Sequence, residues 1–424
     1  MIRVLIVSEW FEPQNAIGAV RPSKLAKYLA QMGYKVDVFT SRIGKPDIPY
    51  EPAGFRVIYD SNSIYVHAET PNQKSAAPKT QKSKLRQELS MICRQIISYR
   101  SGKAFLNKFI AAVQTGEVVL TEYDCLFTTF GPVSAVLIGR YIKRQVPNIK
   151  WINDFRDPMV SQIMPRLFRT FYQYLQRQSI RECDFVTTVS EGYKKRLAVG
   201  CPEKKIVVIP NGYDSDDRKI IEQCNMSHQQ FSMTYAGSLY EGKRNLSPLF
   251  KMLKSLCDAG SLRKEEIAFH YAGGDFGYLY TQAQTYGMES ILVDHGKMPH
   301  NACMEMQASS RFLVLSTWNE IGEEGVFPGK LVEYMLMQRP IISVIDGGLA
   351  HSEVTETLHT YRLGESVEEA DAQSYQILYR WLERQAQAYR NGAPALFQVD
   401  QRRLDERFNW TNIAKQFANL MEAG

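Results

Sequence analysis

RVLIVSEWFEPQNAIGAVRPSKLAKYLAQMGYKVDVFTS, residues 3–41, decides the fold. Arg3 to Ser8 is an apolar run of the length of a buried strand, and the chain then turns through Pro13 and Gly18. Apolar residues at helical spacing predict a helix from about Pro22 to Met32, with a proline near its start and Gly33 just past its end as punctuation. Lys35 to Thr40 reads as a second buried strand. Strand, helix and strand in this order predict one repeat of a doubly wound, mainly parallel α/β sheet.

The rhythm continues outward. Apolar runs at 55–59, 125–129, 150–153, 185–189 and 206–209 alternate with helical patterns such as 132–144 and 166–181. Pro210, Asn211 and Gly212 break it, and it restarts with strands near 231–236, 267–272, 291–294, 311–315 and 340–345. Helical patterns near 246–258, 279–286, 299–309 and 330–337 separate these. A chain of 424 residues exceeds what one core organises. The expected division is therefore a Rossmann-like domain over 1–210, a second over 211–395, and a terminal helical segment over 396–424. Chemistry in open parallel sheets lies beyond the carboxyl ends of the strands, so two hinged domains are expected to face a central cleft.

Composition narrows the function. A formal charge of +6 is modest for this length and unlike a nucleic-acid reader. Seven scattered cysteines, none in a CxxC spacing, argue against disulfides and zinc and for a reduced, cytoplasmic setting. The start lacks the pattern of a signal peptide, and no apolar run reaches the length of a membrane span. Residues 72–84 read as a mobile loop. Basic residues gather from Lys82 to Lys108, interleaved with Leu85, Leu89, Ile92, Ile96, Ile97 and Phe105 at helical spacing. Such a helix is either a solvated flank of the core or a contact for the anionic inner face of a membrane, to which the protein would be peripheral.

Asp214, Ser215 and Asp216 have the acid-any-acid spacing of some metal sites, but they precede a helix, where carboxylates cap. His295 and His300 lack metal partners in the sequence. No metal and no cofactor is expected. A nicotinamide dehydrogenase is disfavoured: the first turn lacks GxGxxG and the second strand ends in Thr40, Ser41, Arg42 rather than an acid.

Four ordered stretches resemble the retaining glycosyltransferases of family four, which have the GT-B fold of two Rossmann-like domains. They are AVRPSKLAKYLAQMGYKVDVFTS from Ala19, VTTVSEGYKKRL from Val186 with VVIPNGYD from Val207, TYAGSLYEGKRN from Thr234, and GVFPGKLVEYMLMQRPIIS from Gly325. RFNWTNIAKQFANLM, from Arg407, is similar to that family's last helix, which crosses back to the first domain. The resemblance implies metal-independent transfer of a hexose or N-acetylhexosamine from a nucleotide sugar, UDP favoured over GDP. The acceptor would be a glycan or a lipid-linked molecule, in bacterial polysaccharide or glycoconjugate assembly. It also implies retention of configuration without a protein nucleophile.

Transfer from a nucleotide sugar must stabilise charge on the departing diphosphate, a task suited to Lys243 and Arg244 after Gly237. Family members often carry Arg after that glycine; here it is Ser238. Gly18 occupies the first domain's donor loop. Backbone amides of Gly325, Val326, Phe327 and Gly329 would hold sugar hydroxyls and phosphates, with Lys330 beside them, and Glu333 would accept from the ribose. The first acid of the family's paired-glutamate motif falls on Gly325, with Glu324 just before it. Lys297 and Met298 would flank the nucleobase, or simply form a turn into a helix. Asp154 and Asp157 would orient or deprotonate the acceptor hydroxyl and Arg156 would neutralise phosphate, unless the three form a structural ion network. Two other readings stay open: a noncatalytic sugar-nucleotide-binding scaffold and a sugar-nucleotide epimerase.

Overall fold

The computed structural model describes residues 1–14, 17–41, 54–60, 84–157, 159–160, 164–202, 204–218, 221 and 230–423. The loop expected over 72–84 lies outside these apart from Lys84. The chain forms two units: Met1–Val189, Tyr193–Pro210 and Ile413–Gly424 make unit 1, and Ser190–Gly192 with Asn211–Asn412 make unit 2.

Unit 1 is built on seven parallel strands in the order β3-β2-β1-β4-β5-β6-β7. These are β1 (Arg3–Val7), β2 (Lys35–Thr40), β3 (Arg56–Tyr59), β4 (Cys125–Phe130), β5 (Lys150–Phe155), β6 (Phe185–Thr188) and β7 (Ile206–Val208). Its helices are α1 (Ile17–Gln31), α2 (Lys84–Gln114), α3 (Ser134–Gln145), α4 (Arg166–Glu182) and α5 (Glu191–Ala198). β1 pairs with β2 from Arg3↔Lys35 and with β4 from Val4↔Cys125, so its apolar run is buried on both faces. Phe39, Phe105, Phe109, Trp151 and Phe155 fill the core over one face. Gly139 is the contact of α3 with Trp151, for a Cβ there would lie 2.2 Å from the indole.

Helix α1 begins at Ile17, earlier than expected, so Pro22 lies inside it and Gly18 belongs to its first turn rather than to a loop. The reason lies in the preceding turn. Trp10 packs so closely on Gly18 that a Cβ would sit 2.1 Å from the indole. Ser23 Oγ accepts from Glu12 N–H at 3.0 Å, tying the turn down.

Unit 2 has six parallel strands ordered β10-β9-β8-β11-β12-β13. They are β8 (Phe231–Ala236), β9 (Ile267–Ala272), β10 (Leu292–Asp294), β11 (Phe312–Trp318), β12 (Ile341–Asp346) and β13 (Gly364–Glu368). Its helices are α6 (Ser247–Asp258), α7 (Phe276–Gln284), α8 (His300–Ser309), α9 (Gly329–Met337), α10 (Glu353–Thr360), α11 (Ala372–Arg390) and α12 (Gln401–Phe408), followed by α13 (Trp410–Glu422). One core holds Phe231, Phe250, Phe269 and Phe312, another Leu313, Leu331, Met335, Leu358, Leu404 and Phe408. The terminal segment thus divides. Leu404 and Phe408 keep α12 in unit 2, and the return to unit 1 begins at Ile413, not at 396. There Phe417 meets Phe127 edge-on at 5.4 Å, and Lys150 Nζ donates to Met421 O at 2.8 Å.

Asp154 holds unit 1 together. Its carboxylate is fully buried and accepts from Arg21 Nε (2.9 Å) and Nη2 (2.8 Å), Thr129 Oγ1 (2.9 Å) and Thr187 Oγ1 (2.7 Å). Arg21 also donates to Pro210 O and Ile209 O, each at 2.9 Å. The sequence left Asp154 between handling the acceptor hydroxyl and a structural ion network; with both oxygens committed and the side chain fully buried, it is a structural anchor, paired with Arg21. Removing one partner leaves the other charge buried and alone. Asp154→Ala is expected to destabilise unit 1 by about 3–5 kcal/mol, read from the urea transition of that unit; a loss below about 1 kcal/mol would contradict this role.

Candidate functional site

Both sheets reverse their order between the first and fourth strands, β8 and β11 in unit 2 and β1 and β4 in unit 1. Ligands of open α/β sheets bind beyond the carboxyl ends of the strands at that reversal. In unit 2, β11 pairs with β8 only at Phe312↔Met233 and Leu313↔Thr234, after which the strands part. Tyr334 of α9 fills the gap. Its buried hydroxyl donates to Val314 O at 3.2 Å and accepts from Ala236 N–H at 3.4 Å, satisfying backbone groups the ladder has released.

Beyond the gap, the loop after β8 carries the residues expected to meet diphosphate. Gly237 has φ +137°, and its N–H donates to Ala272 O at 2.9 Å. Tyr271 Oη donates to its carbonyl at 3.1 Å, and a Cβ at Gly273 would lie 2.2 Å from that Oη, so the ends of β8 and β9 are closely joined. Ser238 turns away: its Oγ donates to Asp275 Oδ2 at 2.6 Å, which also receives Leu239 N–H at 2.7 Å. Arg244 returns toward the loop. Its Nη1 donates to Ser238 O (3.0 Å) and Tyr235 Oη (3.2 Å), and its guanidinium lies 4.6 Å from the Tyr240 ring centroid and 5.8 Å from that of Trp318. Two aromatic faces and two acceptors thus fix one cation. Lys243, next to it, is exposed and without an ion pair among the described residues.

The loop after β11 supplies the second wall. Trp318 Nε1 donates to Glu323 Oε2 at 3.0 Å, a bond that orients the indole lying over Arg244. Glu324 is half-buried. Gly325 is buried with φ +78°, and its carbonyl accepts from Ser190 Oγ at 2.7 Å. Val326 is half-buried, and Phe327 stacks on Phe408 with centroids 6.0 Å apart. Gly329 opens α9, whose Lys330 Nζ and Glu333 Oε1 pair at 3.0 Å. The carboxylate expected at a ribose is therefore already partnered within its own helix. After β10, Lys297 is exposed and Met298 packs against Ala236, Ala272 and Cys303. After β12, Asp346 accepts from Asn245 N–H at 3.0 Å, and burial pushes its carboxyl up to about 6. Asp214 caps a short turn by accepting from Asp216 N–H at 3.0 Å.

In unit 1, Arg156 Nη2 donates weakly to Phe130 O (3.3 Å) and Gly131 O (3.2 Å), and its Nε is buried without a partner. Burial lowers its pKa. Asp157 is an exposed residue, and partial desolvation of its carboxyl raises it against the opposing pull of Arg156. These two, unlike Asp154, remain open to a ligand. Gly18 places the first turn of α1 beside the reversal, under Trp10.

Residues 23–217 match the sequence profile of Glycosyltransferase Family 4. The match spans 195 of the 424 residues, less than half of the chain. Solved structures agree on the fold. A sucrose-phosphate synthase from Thermosynechococcus elongatus is 16% identical with a TM-score of 0.61, over 99% of this chain and 98% of that one. A structure described as trehalose-6-phosphate from E. coli bound with UDP-2-fluoro glucose is 10% identical with a TM-score of 0.61, over 100% and 99%. WaaG, a glycosyltransferase involved in lipopolysaccharide biosynthesis, is 12% identical with a TM-score of 0.52, over 99% and 100%. No curated protein matches the chain closely enough to count as a relative. The two doubly wound units have the GT-B fold of these structures.

One feature of the chain escaped the sequence reading. Glu9, just after β1 at the reversal, is 6% exposed, and its Oε1 has no hydrogen-bond partner. Ser134 Oγ, at the start of α3, also has none. Burial pushes the Glu9 carboxyl up to about 7, Asp60 adds to the rise, and the nearby Ser134 hydroxyl and Lys108 oppose it. A carboxyl titrating near neutrality can exchange a proton with a hydroxyl. Only its place after the first strand hinted at this in the sequence, because burial is not written there.

The folded protein keeps Glu9 neutral below about pH 7, whereas the unfolded chain ionises it above about pH 4.5. Folding stability from this group is therefore fully present below about pH 4.5 and is lost as pH rises through about 7. Glu9→Gln is expected to flatten that part of the urea-derived stability profile and to exceed the parent at about pH 8 by up to about 3 kcal/mol. Identical slopes in parent and variant would place Glu9 in water.

Proposed function

We propose that this chain is a glycosyltransferase that binds a nucleoside-diphosphate sugar at the β8–β11 reversal of unit 2, UDP-linked in preference to GDP-linked, and transfers a hexose or N-acetylhexosamine with retention. The observation that carries this is the cation pair after Gly237: Arg244 is fixed by Ser238 O, Tyr235, Tyr240 and Trp318, and Lys243 stands free beside it. A fixed guanidinium stabilises charge developing on a leaving diphosphate without reorganising, and a mobile ammonium can follow it. Arg244 takes up the work of the arginine that Ser238 replaces. These two cations do what a divalent metal does in other transferases, so the reaction is read as metal-independent. Backbone groups between Gly325 and Gly329 serve the sugar, Glu333 the ribose and Lys297 with Met298 the base. Arg156 and Asp157 serve the acceptor. That acceptor is read as a glycan or lipid-linked molecule of a bacterial polysaccharide or glycoconjugate, met at the cytoplasmic side of a membrane.

Thermal unfolding with UDP, GDP, CMP and their sugars, with and without magnesium, tests this reading. UDP compounds are expected to raise the Tm by mass action, equally after EDTA. Lys243→Ala is expected to weaken UDP binding about 10- to 100-fold, the loss of one charge-assisted hydrogen bond. Glu333→Ala is expected to weaken it less than Lys243→Ala, since Lys330 is released at the same time. A Tm unmoved by every nucleotide would overturn the enzyme reading, and binding without turnover against many acceptors would favour a scaffold.

A further inference from the structure

Helices α2 and α4 of unit 1 carry a surface that sugar transfer leaves unused. Over α2 (Lys84–Gln114) and α4 (Arg166–Glu182) the sequence holds ten Arg and Lys residues against two acids, Glu88 and Glu182. Solvated helices usually mix both signs more evenly, so this excess over two neighbouring helices is a field with a direction. Arg94, Arg100, Lys103 and Arg166 are exposed and form no ion pair among the described residues.

Large apolar side chains stand among these cations. On α4, Leu167 is 81% exposed, Phe171 39% and Tyr174 58%, and their i, i+4, i+7 spacing puts them on one face. On α2, Ile96 and Ile97 are 42% and 66% exposed. The Tyr99 ring meets Phe171 edge-on at 5.2 Å, which sets the two exposed rows side by side, and Lys103 lies 6.0 Å from the Tyr99 ring centroid. A monomer gains nothing by holding such a row in water.

We propose that α2 and α4 together form a docking surface for an anionic phospholipid bilayer. Charge selects this occupant. A protein interface is depleted of charge at its centre, whereas here cations and aliphatic tips alternate, so that lipid phosphates meet Arg and Lys while Ile97, Leu167 and Phe171 enter below them. The basic helix seen in the sequence is only half of this surface; α4 supplies the larger apolar row. The inference stands on unit 1 alone and does not depend on which donor unit 2 takes.

Cosedimentation of the full chain with phosphatidylglycerol–phosphatidylcholine vesicles, against pure phosphatidylcholine, is the test. Binding is expected to the anionic vesicles alone and to fall as salt rises. Arg100→Gln, Lys103→Gln and Arg166→Gln combined should lower the partition coefficient about a hundredfold at low salt. Ile97→Ser with Leu167→Ser should remove the binding that survives high salt. Arg380→Gln, Arg384→Gln and Arg390→Gln, which take the same charge from exposed positions of α11, should leave binding unchanged, with circular dichroism confirming that all variants fold. Absence of binding to anionic vesicles, or an equal loss in the α11 variant, would overturn the proposal. So would a dimer in ultracentrifugation that the Ile97 and Leu167 changes dissolve, since the row would then be a contact between copies of this chain.

Discussion

The pairing of Arg21 with Asp154 constrains more of unit 1 than any other polar contact. Two opposite charges share a site from which water is excluded, and that is tolerable only because every remaining valence is met. Thr129 and Thr187 bring β4 and β6 to the carboxylate, while Ile209 and Pro210 offer carbonyls to the guanidinium. Phe417 of α13 lies 5.2 Å below the same guanidinium. One ion pair therefore sets α1, three adjacent strands, the exit of the chain from unit 1 and the helix on which the chain returns.

In unit 2 tyrosines do the comparable work with neutral groups. Tyr271 ties β9 to the carbonyl of Gly237, Tyr235 gives Arg244 an acceptor, and Tyr334 occupies the place where β8 and β11 separate. Each buries an apolar ring and leaves one hydroxyl for a specific partner, the combination needed where a sheet must open without leaving backbone groups unsatisfied. The opening is what makes room for a ligand. Its strand order supplies the place, and the tyrosines supply its fixed width.

Much of this architecture was legible in residues 3–41 and in the restart after Pro210, because buried parallel strands are continuous apolar runs. β13 and α11 were not foreseen. Gly364-Glu365-Ser366-Val367-Glu368 does not read as an apolar run because its buried polar residues, Ser366 and Glu368, are satisfied by hydrogen bonds with Thr355 and Ser352 at the start of α10, and α11 shows a largely polar face. Individual site residues were harder to read than strands. Asp154, Arg156 and Asp157 are adjacent in the chain, yet the strand ends between them, so one charge points into the sheet and the others leave it. Period-two geometry and the end of β5, not residue type, separate an anchor from candidate ligands.

The same logic explains why a departure from a motif need not be a loss of function. By the resemblance in its sequence an arginine was expected where Ser238 stands, and the serine hydroxyl is spent on Asp275. Its carbonyl, however, is one of the acceptors that fixes Arg244, so the backbone at this position holds a neighbouring cation in place. The aromatic pair Tyr240 and Trp318 completes this arrangement, with Trp318 oriented by Glu323. A serine at that position without Arg244, or Arg244 without its two rings, would leave the loop with only the mobile charge of Lys243, which can bind an anion but cannot hold it at a fixed angle.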